Sequence, residues 1–254
     1  MKILLACAKI MNEKSEVTPP KLDAPLFLKE ASAIADELSK WTEEEMAAQL
    51  HCSREIAAAN LFRLKHARFS EPALPAILAY NGQAYKYLRA AEFSQEELLF
   101  AQEHLLITSF LYGLLHPLDA IHPYRLEGKV KLDITGDKDM FSYWKPLLTD
   151  VLIREVKADD GILIHLATKE MEHLFDWKRV KKEVHVIQPL FLQDTGTLLK
   201  AVSVHAKSCR GAMTRYIIRN RINSPALLKD FELEGYTYYN KYGDEDHPHY
   251  INIK

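Results

Sequence analysis

Tyr112, His116, Asp119, His122, Tyr124, Arg125 and Glu127 fall together in the segment LYGLLHPLDAIHPYRLEG, positions 111 to 128. Such a set can do acid–base chemistry, because histidine titrates near neutrality. It can also hold an anion, since the planar guanidinium of Arg125 makes paired hydrogen bonds to a phosphate. Metal binding is not expected: the two histidines are six residues apart, which matches no standard ligand spacing. Two His-Pro steps stiffen the segment. Proline breaks helix at its own position and pushes the preceding residue to extended backbone. On one reading this stiffness presents Arg125 to an anionic group in a site shared with Lys207 or Arg210. Tyr124 then anchors the loop by packing, and Glu127 or Asp119 orients the guanidinium. On the other reading Arg125 is scaffolding, tied to those acids inside the fold.

A second set of cations lies in HAKSCRGAMTRYIIRNRI, from His205. At roughly 100° per residue, Cys209, Ala212, Met213, Tyr216 and Ile217 share one face, fit for packing. Lys207, Arg210, Thr214 and Arg221 gather on another, and Arg215 and Arg219 on a third. Gly211 beside the first cationic row costs a helix about 1 kcal/mol, so its use is the close approach of another backbone or a ligand. Around this helix, from Trp177 to Lys229, eleven Lys and Arg stand against two acids, Glu183 and Asp194, although the whole chain carries only −2. The imbalance points to a polyanionic partner; an acidic remainder folded against it would account for it equally well. Two further candidates are Tyr80-Asn81-Gly82-Gln83-Ala84-Tyr85, where Gly82 permits a tight turn between tyrosines able to stack on bases, and Lys9, just after the first apolar run. Tyr80 and Tyr85 as core residues around a turn, and the helix as an ordinary solvated face, are the plainer alternatives.

The elements that must position these residues follow from pattern. Residues 2 to 8 read as a buried strand, 12 to 25 as a loop and 26 to 38 as a helix. Thr42 and Glu45 form a capping-box pair opening a helix to about Leu50. His51-Cys52-Ser53 breaks it, and a second helix runs from Arg54 to about His66, completing a helical hairpin over about 42 to 69. A loop with a short helix covers 72 to 88, Ser94 with Glu97 caps another helix, and 105 to 109 is a strand. Alternation predicts a half-exposed strand over 129 to 134. A helix over 138 to 156 precedes a central strand at 161 to 166. Strands at 183 to 192 and 198 to 205 are joined by a hairpin turn at 193 to 197, and 206 to 222 is helical. The class is α+β or mixed α/β, one continuous domain over 1 to 254 with a helical insertion.

The chain has 254 residues, 48% of them hydrophobic, enough for a sizeable core. No run of about 18 uncharged apolar residues marks a membrane span, and the first apolar run, interrupted by Lys9, is too short for a signal peptide. Cys7, Cys52 and Cys209 are odd in number and widely spaced, which suits a reducing cytoplasm. Cys7 is expected in a core strand and Cys209 on an apolar helix face, leaving Cys52 as the accessible thiol. No cofactor is expected, and a monomer is favoured.

Five stretches in this order, ACAK at 6 to 9, AYNGQAY at 79 to 85, the 111 to 128 segment, HAKSCRGAMTRYII at 205 to 218 and EGYTY at 234 to 238, make the chain resemble the YaaA family of peroxide stress resistance proteins (UPF0246). The resemblance implies a bacterial cytoplasmic protein that limits iron-driven oxidative damage, with a helix-hairpin-helix-like element and a positive cleft for double-stranded DNA. Carried onto this sequence, the hairpin is Thr42 to about His66, with Arg54, Arg63 and Lys65 adding charge. Three departures stand out: the turn His51-Cys52-Ser53 lacks glycines, His165 replaces an Asn in HLAT, and His116 replaces an Arg before Pro117-Leu118-Asp119. The nucleic-acid-binding set on this reading is Lys9, Arg63, Lys65, Arg125, Lys207, Arg210 and Arg215. The pocket set is Tyr80, Gly82, Tyr85, Tyr112, His116, Asp119, Tyr124 and Glu127. An enzyme acting on a nucleotide or nucleic-acid substrate is the alternative function.

Overall fold

A computed structural model describes residues 1–66 and 73–253. In chain order the elements are β1 (Lys2–Leu5), α1 (Leu28–Leu38), α2 (Glu43–Gln49), α3 (Arg54–His66), β2 (Leu74–Pro75), α4 (Ala76–Ala79) and α5 (Gln83–Leu88). Then come α6 (Gln95–His104), β3 (Leu105–Ser109), β4 (Gly113–Leu115), β5 (Ala120–Ile121), α7 (Met140–Lys157), β6 (Ile162–His165) and α8 (Trp177–Glu183). The chain continues through β7 (His185–Ile187), β8 (Leu190–Asp194), β9 (Leu199–Lys200), α9 (Ser203–Arg219), β10 (Glu232–Leu233), β11 (Tyr236–Gly243) and β12 (Pro248–Ile253). The class is α+β.

Among the described residues there are two five-stranded sheets and a small β2–β5 pair. The first sheet runs β4-β3-β1-β6-β7. β1 lies parallel to β3 on one side and to β6 on the other, and every residue of KILL is buried. Continuous burial of this kind is what a parallel strand covered on both faces requires. The second sheet runs β10-β11-β12-β8-β9, with β12 parallel to β8. One apolar cluster reaches from β1 through both sheets to Tyr250.

Local chemistry sets the helix starts. The Thr42 hydroxyl accepts from Glu45 N at 3.2 Å and the Glu45 carboxylate accepts from Thr42 N at 2.8 Å. Ser94 and Glu97 repeat the arrangement at 3.1 and 2.7 Å. Both capping boxes stand where the sequence places them. The helical hairpin is present as α2 and α3; residues 67 to 69, its expected end, lie outside the described residues.

Four expectations need correction. β1 stops at Leu5, so Ala6 to Ala8 leave the sheet. Residues 129 to 134 are not a strand. Val130 and Leu132 are buried, but they point inward from a loop that closes on a short 3-10 turn, Asp133–Thr135. The Glu37 carboxylate holds that turn by accepting from the backbone N–H of Asp133 and Ile134, at 2.7 and 2.9 Å. Residues 183 to 192 are two strands, because the chain turns at Gln188-Pro189 and passes from the first sheet (β7) to the second (β8). The last predicted strand ends early: β9 is two residues long and α9 begins at Ser203.

Candidate functional site

Beyond Leu5, Ser109 and His165, three parallel strands end on the same side of the first sheet, and a cavity of about 350 Å³ opens there. Open α/β sheets place ligands outside the carboxyl ends of their strands. Ala6 to Ile10 line it after β1, Phe110 after β3, and Leu166, Thr168, Glu170 and Met171 after β6. The opposite walls are the start of α5, from Gly82 to Tyr85, and the first turns of α9, with Lys207 and Arg210. Tyr124 to Glu127, the end of the His-Pro segment, completes it. α5 and α9 meet closely because Gly211 has no side chain: a Cβ there would fall against the backbone carbonyl of Ala84. The expected use of Gly211 is thus met by another backbone. Gln83 Nε2 ties the same two helices by donating to Ser208 Oγ at 2.8 Å.

Charge inside the cavity is arranged around Glu127. Its Oε1 lies 2.8 Å from Lys9 Nζ and 3.3 Å from Arg125 Nη2. Lys9 is 63% exposed and Arg125 only 19%. These are charge contacts rather than aligned hydrogen bonds. Arg125 Nε, Glu127 Oε1 and Thr168 Oγ1 are all buried without a hydrogen-bond partner. Burial lowers the pKa of Arg210, yet neither it nor Lys207 is ion-paired among the described residues. Cys7 lines the cavity instead of sitting in a strand, which corrects that expectation. Burial, with help from Glu170 and Glu127, pushes its thiol up to about 12. Burial does the same to Cys209, also to about 12. Neither holds a thiolate at neutral pH, so neither is a ready nucleophile toward peroxide. Replacing Cys7 and Cys209 by Ala or Ser, as folding tolerates, should leave peroxide protection of the host nearly unchanged. Loss of protection in a well-folded Cys52→Ser chain would contradict a mechanism without a thiol sensor.

The backbone of Arg125 is held from both sides. Asn60, fully buried in α3, accepts from Arg125 N at 2.8 Å and donates to Arg125 O at 2.9 Å. Beside it the Tyr124 hydroxyl meets Ser109 Oγ at 2.7 Å and the Tyr80 hydroxyl at 3.0 Å. Tyr124 therefore anchors the segment, as its sequence position suggests, and Glu127 lies against the guanidinium. Asp119 does not: its carboxylate accepts from His116 N at 2.9 Å, and burial raises its pKa to about 7. Arg125→Lys keeps the charge but loses the planar fork. Near-native thermal stability with weakened ligand binding is expected; a drop of several degrees with normal binding would make the segment pure scaffolding.

A family model described as "Peroxide stress protein YaaA" matches residues 1–242. Curated relatives agree. A UPF0246 protein of Phocaeicola vulgatus is 47% identical over 239 residues, covering 94% of each chain. One of Bacteroides thetaiotaomicron is 44% identical over 254 residues, covering 99% of this chain and 98% of its own. One of Tolumonas auensis is 34% identical over 242 residues, covering 94% and 92%. This chain belongs to the YaaA family.

In this YaaA-family chain the predicted site residues divide. Lys9, Gly82, Tyr85, Tyr124, Arg125, Glu127, Lys207 and Arg210 converge on the cavity. Tyr80 lies behind it, buried, touching Tyr124. Tyr112, His116 and Asp119 do not line it. The Tyr112 hydroxyl accepts from His122 N at 3.1 Å, and His116 Nδ1 meets Gln102 O at 3.1 Å. The first His-Pro step is thus stitched to α6, and only the second reaches the site.

Arg215 and Arg63 are engaged elsewhere. Arg215 Nη2 bonds Glu92 at 2.6 Å, and the same guanidinium donates to the carbonyls of Leu88 and Arg89. Arg63 bonds Glu13 through Nε at 3.1 Å and Nη2 at 2.9 Å. Lys65 is exposed at the end of α3, away from the cavity lining. The polar row on α9 is also not a solvated face: Thr214 is fully buried and donates back to Arg210 O at 2.8 Å. Sequence reasoning missed Asn60, Thr168 and Glu170. A buried-looking Asn in the middle of a helix was the available sign for the first. His165, in the HLAT stretch, points under the site: burial depresses its pKa, Glu172 lies 3.3 Å from its Nε2, and it packs against Trp177.

Proposed function

We propose that this YaaA-family chain serves the peroxide-stress response by binding double-stranded DNA at the mouth of the cavity, with Lys9, Lys207 and Arg210 on backbone phosphates. The observation that carries this is how α9 sorts its cations. Arg215 and Arg219, toward its end, and Arg221, just past it, are ion-paired with Glu92, Glu97 and Glu96. Lys207 and Arg210, near its start, face the cavity with no acid paired to them among the described residues. Burial of Arg210 without an acid beside it costs stability. A partner bearing negative charge recovers that cost. The helical hairpin contributes little: Arg54 and Arg63 are paired to Glu44 and Glu13. Limiting iron-driven oxidative damage in a reducing cytoplasm, where the three cysteines stay free, is the setting this reading assigns. No helix among the described residues is long and apolar enough to cross a membrane.

The test is duplex binding by anisotropy across a salt series. Affinity should fall steeply with salt, because each phosphate bound releases counterions. Lys207→Ala with Arg210→Ala should weaken binding at least tenfold and flatten the salt slope by about one for each phosphate no longer held. Arg219→Ala with Arg221→Ala should leave both unchanged. A flat salt response, or wild-type binding in the first double variant, overturns the reading. The carboxylates of Glu127 and Glu170 in the cavity lining favour one second reading, an enzyme acting on a nucleotide or nucleic-acid substrate; turnover of a DNA or nucleotide substrate abolished by Glu127→Gln or Glu170→Gln would establish it.

A further inference from the structure

We infer that the cavity receives a single nucleotide extruded from the bound duplex, with the base in its depth and the adjoining phosphate on Lys207 and Arg210. This rests on the DNA-binding reading and goes beyond it.

Size is the first argument. Small-molecule sites run from roughly 300 to 1,000 Å³, and about 350 Å³ is at the small end. A duplex, whose major groove alone is about 12 Å wide, cannot enter. Arg125, mostly covered, is then out of reach of an intact duplex.

Polarity is the second. Arg125 Nε is an unsatisfied donor, and Thr168 Oγ1, which can be donor or acceptor, is unsatisfied too; Glu127 Oε1 makes no aligned hydrogen bond but is met by the charges of Lys9 and Arg125. Buried groups left in this state are costly, so a ligand that satisfies them gains accordingly. A phosphate offers acceptors to Arg125 but is repelled by Glu127 and Glu170. A metal ion answers only Glu127. The edge of a nucleobase presents donors and acceptors side by side and answers all three kinds. Around these groups Phe110, Leu166 and Met171 supply apolar surface, and Tyr85 and Tyr124 supply aromatic surface, for the ring to pack on. Exposed Lys207 and half-buried Arg210 line the same cavity, and the phosphate of an extruded unit is placed on them.

Extrusion costs unpairing and unstacking, least where the base is already mispaired. The experiment compares a matched duplex with the same duplex carrying one central mismatch, for the wild type and for two variants that fill the cavity without touching its cations, Ala6→Leu and Met171→Trp. Melting curves establish that each variant is folded; two variants are used because either alone could fail. The wild type should prefer the mismatch by about tenfold or more. A folded filling variant should lose that preference while keeping matched-duplex affinity and salt slope. A nucleoside monophosphate should compete away the preference only at far higher concentration than mismatched DNA. Equal affinity for both duplexes with salt-dependent binding intact overturns extrusion alone, as does a filling variant that keeps the preference. Cavity binding by free monophosphate as tight as by mismatched DNA assigns the cavity to a free nucleotide and also overturns it. Failure to bind any duplex removes the DNA reading itself.

Discussion

Gly211→Ala should lower the melting temperature by about 6–12 °C and abolish ligand binding. The added methyl has nowhere to go: it meets the backbone carbonyl of Ala84 rather than the yielding end of a side chain. Replacing Gly by Ala in a helix normally gains about 1 kcal/mol, but overpacking against a rigid neighbour costs 1–3 kcal/mol or more. Parting α5 from α9 also exposes surface and pulls Gln83 from Ser208. A net destabilisation of about 3 kcal/mol corresponds to that change in melting temperature for a chain near this size. Binding suffers separately, because these two helices carry Gly82 to Tyr85 and Lys207 to Arg210 of the cavity wall. Thermal denaturation and anisotropy together check the prediction. A variant as stable as the parent would show that the helices can slide, and that Gly211 is not what sets their distance.

Asn60→Leu, similar in volume, is expected to cost about 2–5 kcal/mol. It strands both the N–H and the C=O of Arg125, whose bonds to Asn60 are 2.8 and 2.9 Å, and each buried group so orphaned costs about 1–3 kcal/mol. Asn60→Asp keeps the acceptor for Arg125 N–H but sets a carboxylate oxygen against Arg125 O and buries its charge, so at neutral pH its melting temperature should fall further than that of the Leu variant. Ligand affinity should follow the same order, since the Arg125 backbone is positioned by this side chain. An Asp variant no less stable than the Leu variant would mean that the bond to Arg125 O is not the source of the effect.

Much of this arrangement was legible in the sequence where the determinants are local. The capping boxes at Thr42 and Ser94, the apolar runs of β1 and β3, and the glycine in a basic helix each announce themselves within a few residues. A site shared by Arg125 with Lys207 or Arg210 was expected from the stiff His-Pro segment, and Lys9 was singled out only by its place after the first strand. What could not be read was which cations are already satisfied. Glu92, Glu96 and Glu97 neutralise Arg215, Arg221 and Arg219 from a stretch more than a hundred residues away, and no helical wheel shows that. Nor does alternation distinguish a strand from a loop that turns two apolar residues inward, as at Val130 and Leu132. The two His-Pro steps look alike in sequence; one is fastened to α6 through Gln102 and the other to the site through Asn60, both distant in the chain.

The place of β1 between β3 and β6 also bears on how the protein comes into being. Its pairing partners begin at Leu105 and Ile162, so the floor of the cavity cannot close until more than half the chain has left the ribosome, and the wall carrying Arg210 arrives later still. Such long loop closures make folding slow. Until then the apolar edges of β1 stay open to other strands, the condition in which chains aggregate. The yield of working protein from each new chain thus depends on assembly of the first sheet as well as on completion of synthesis.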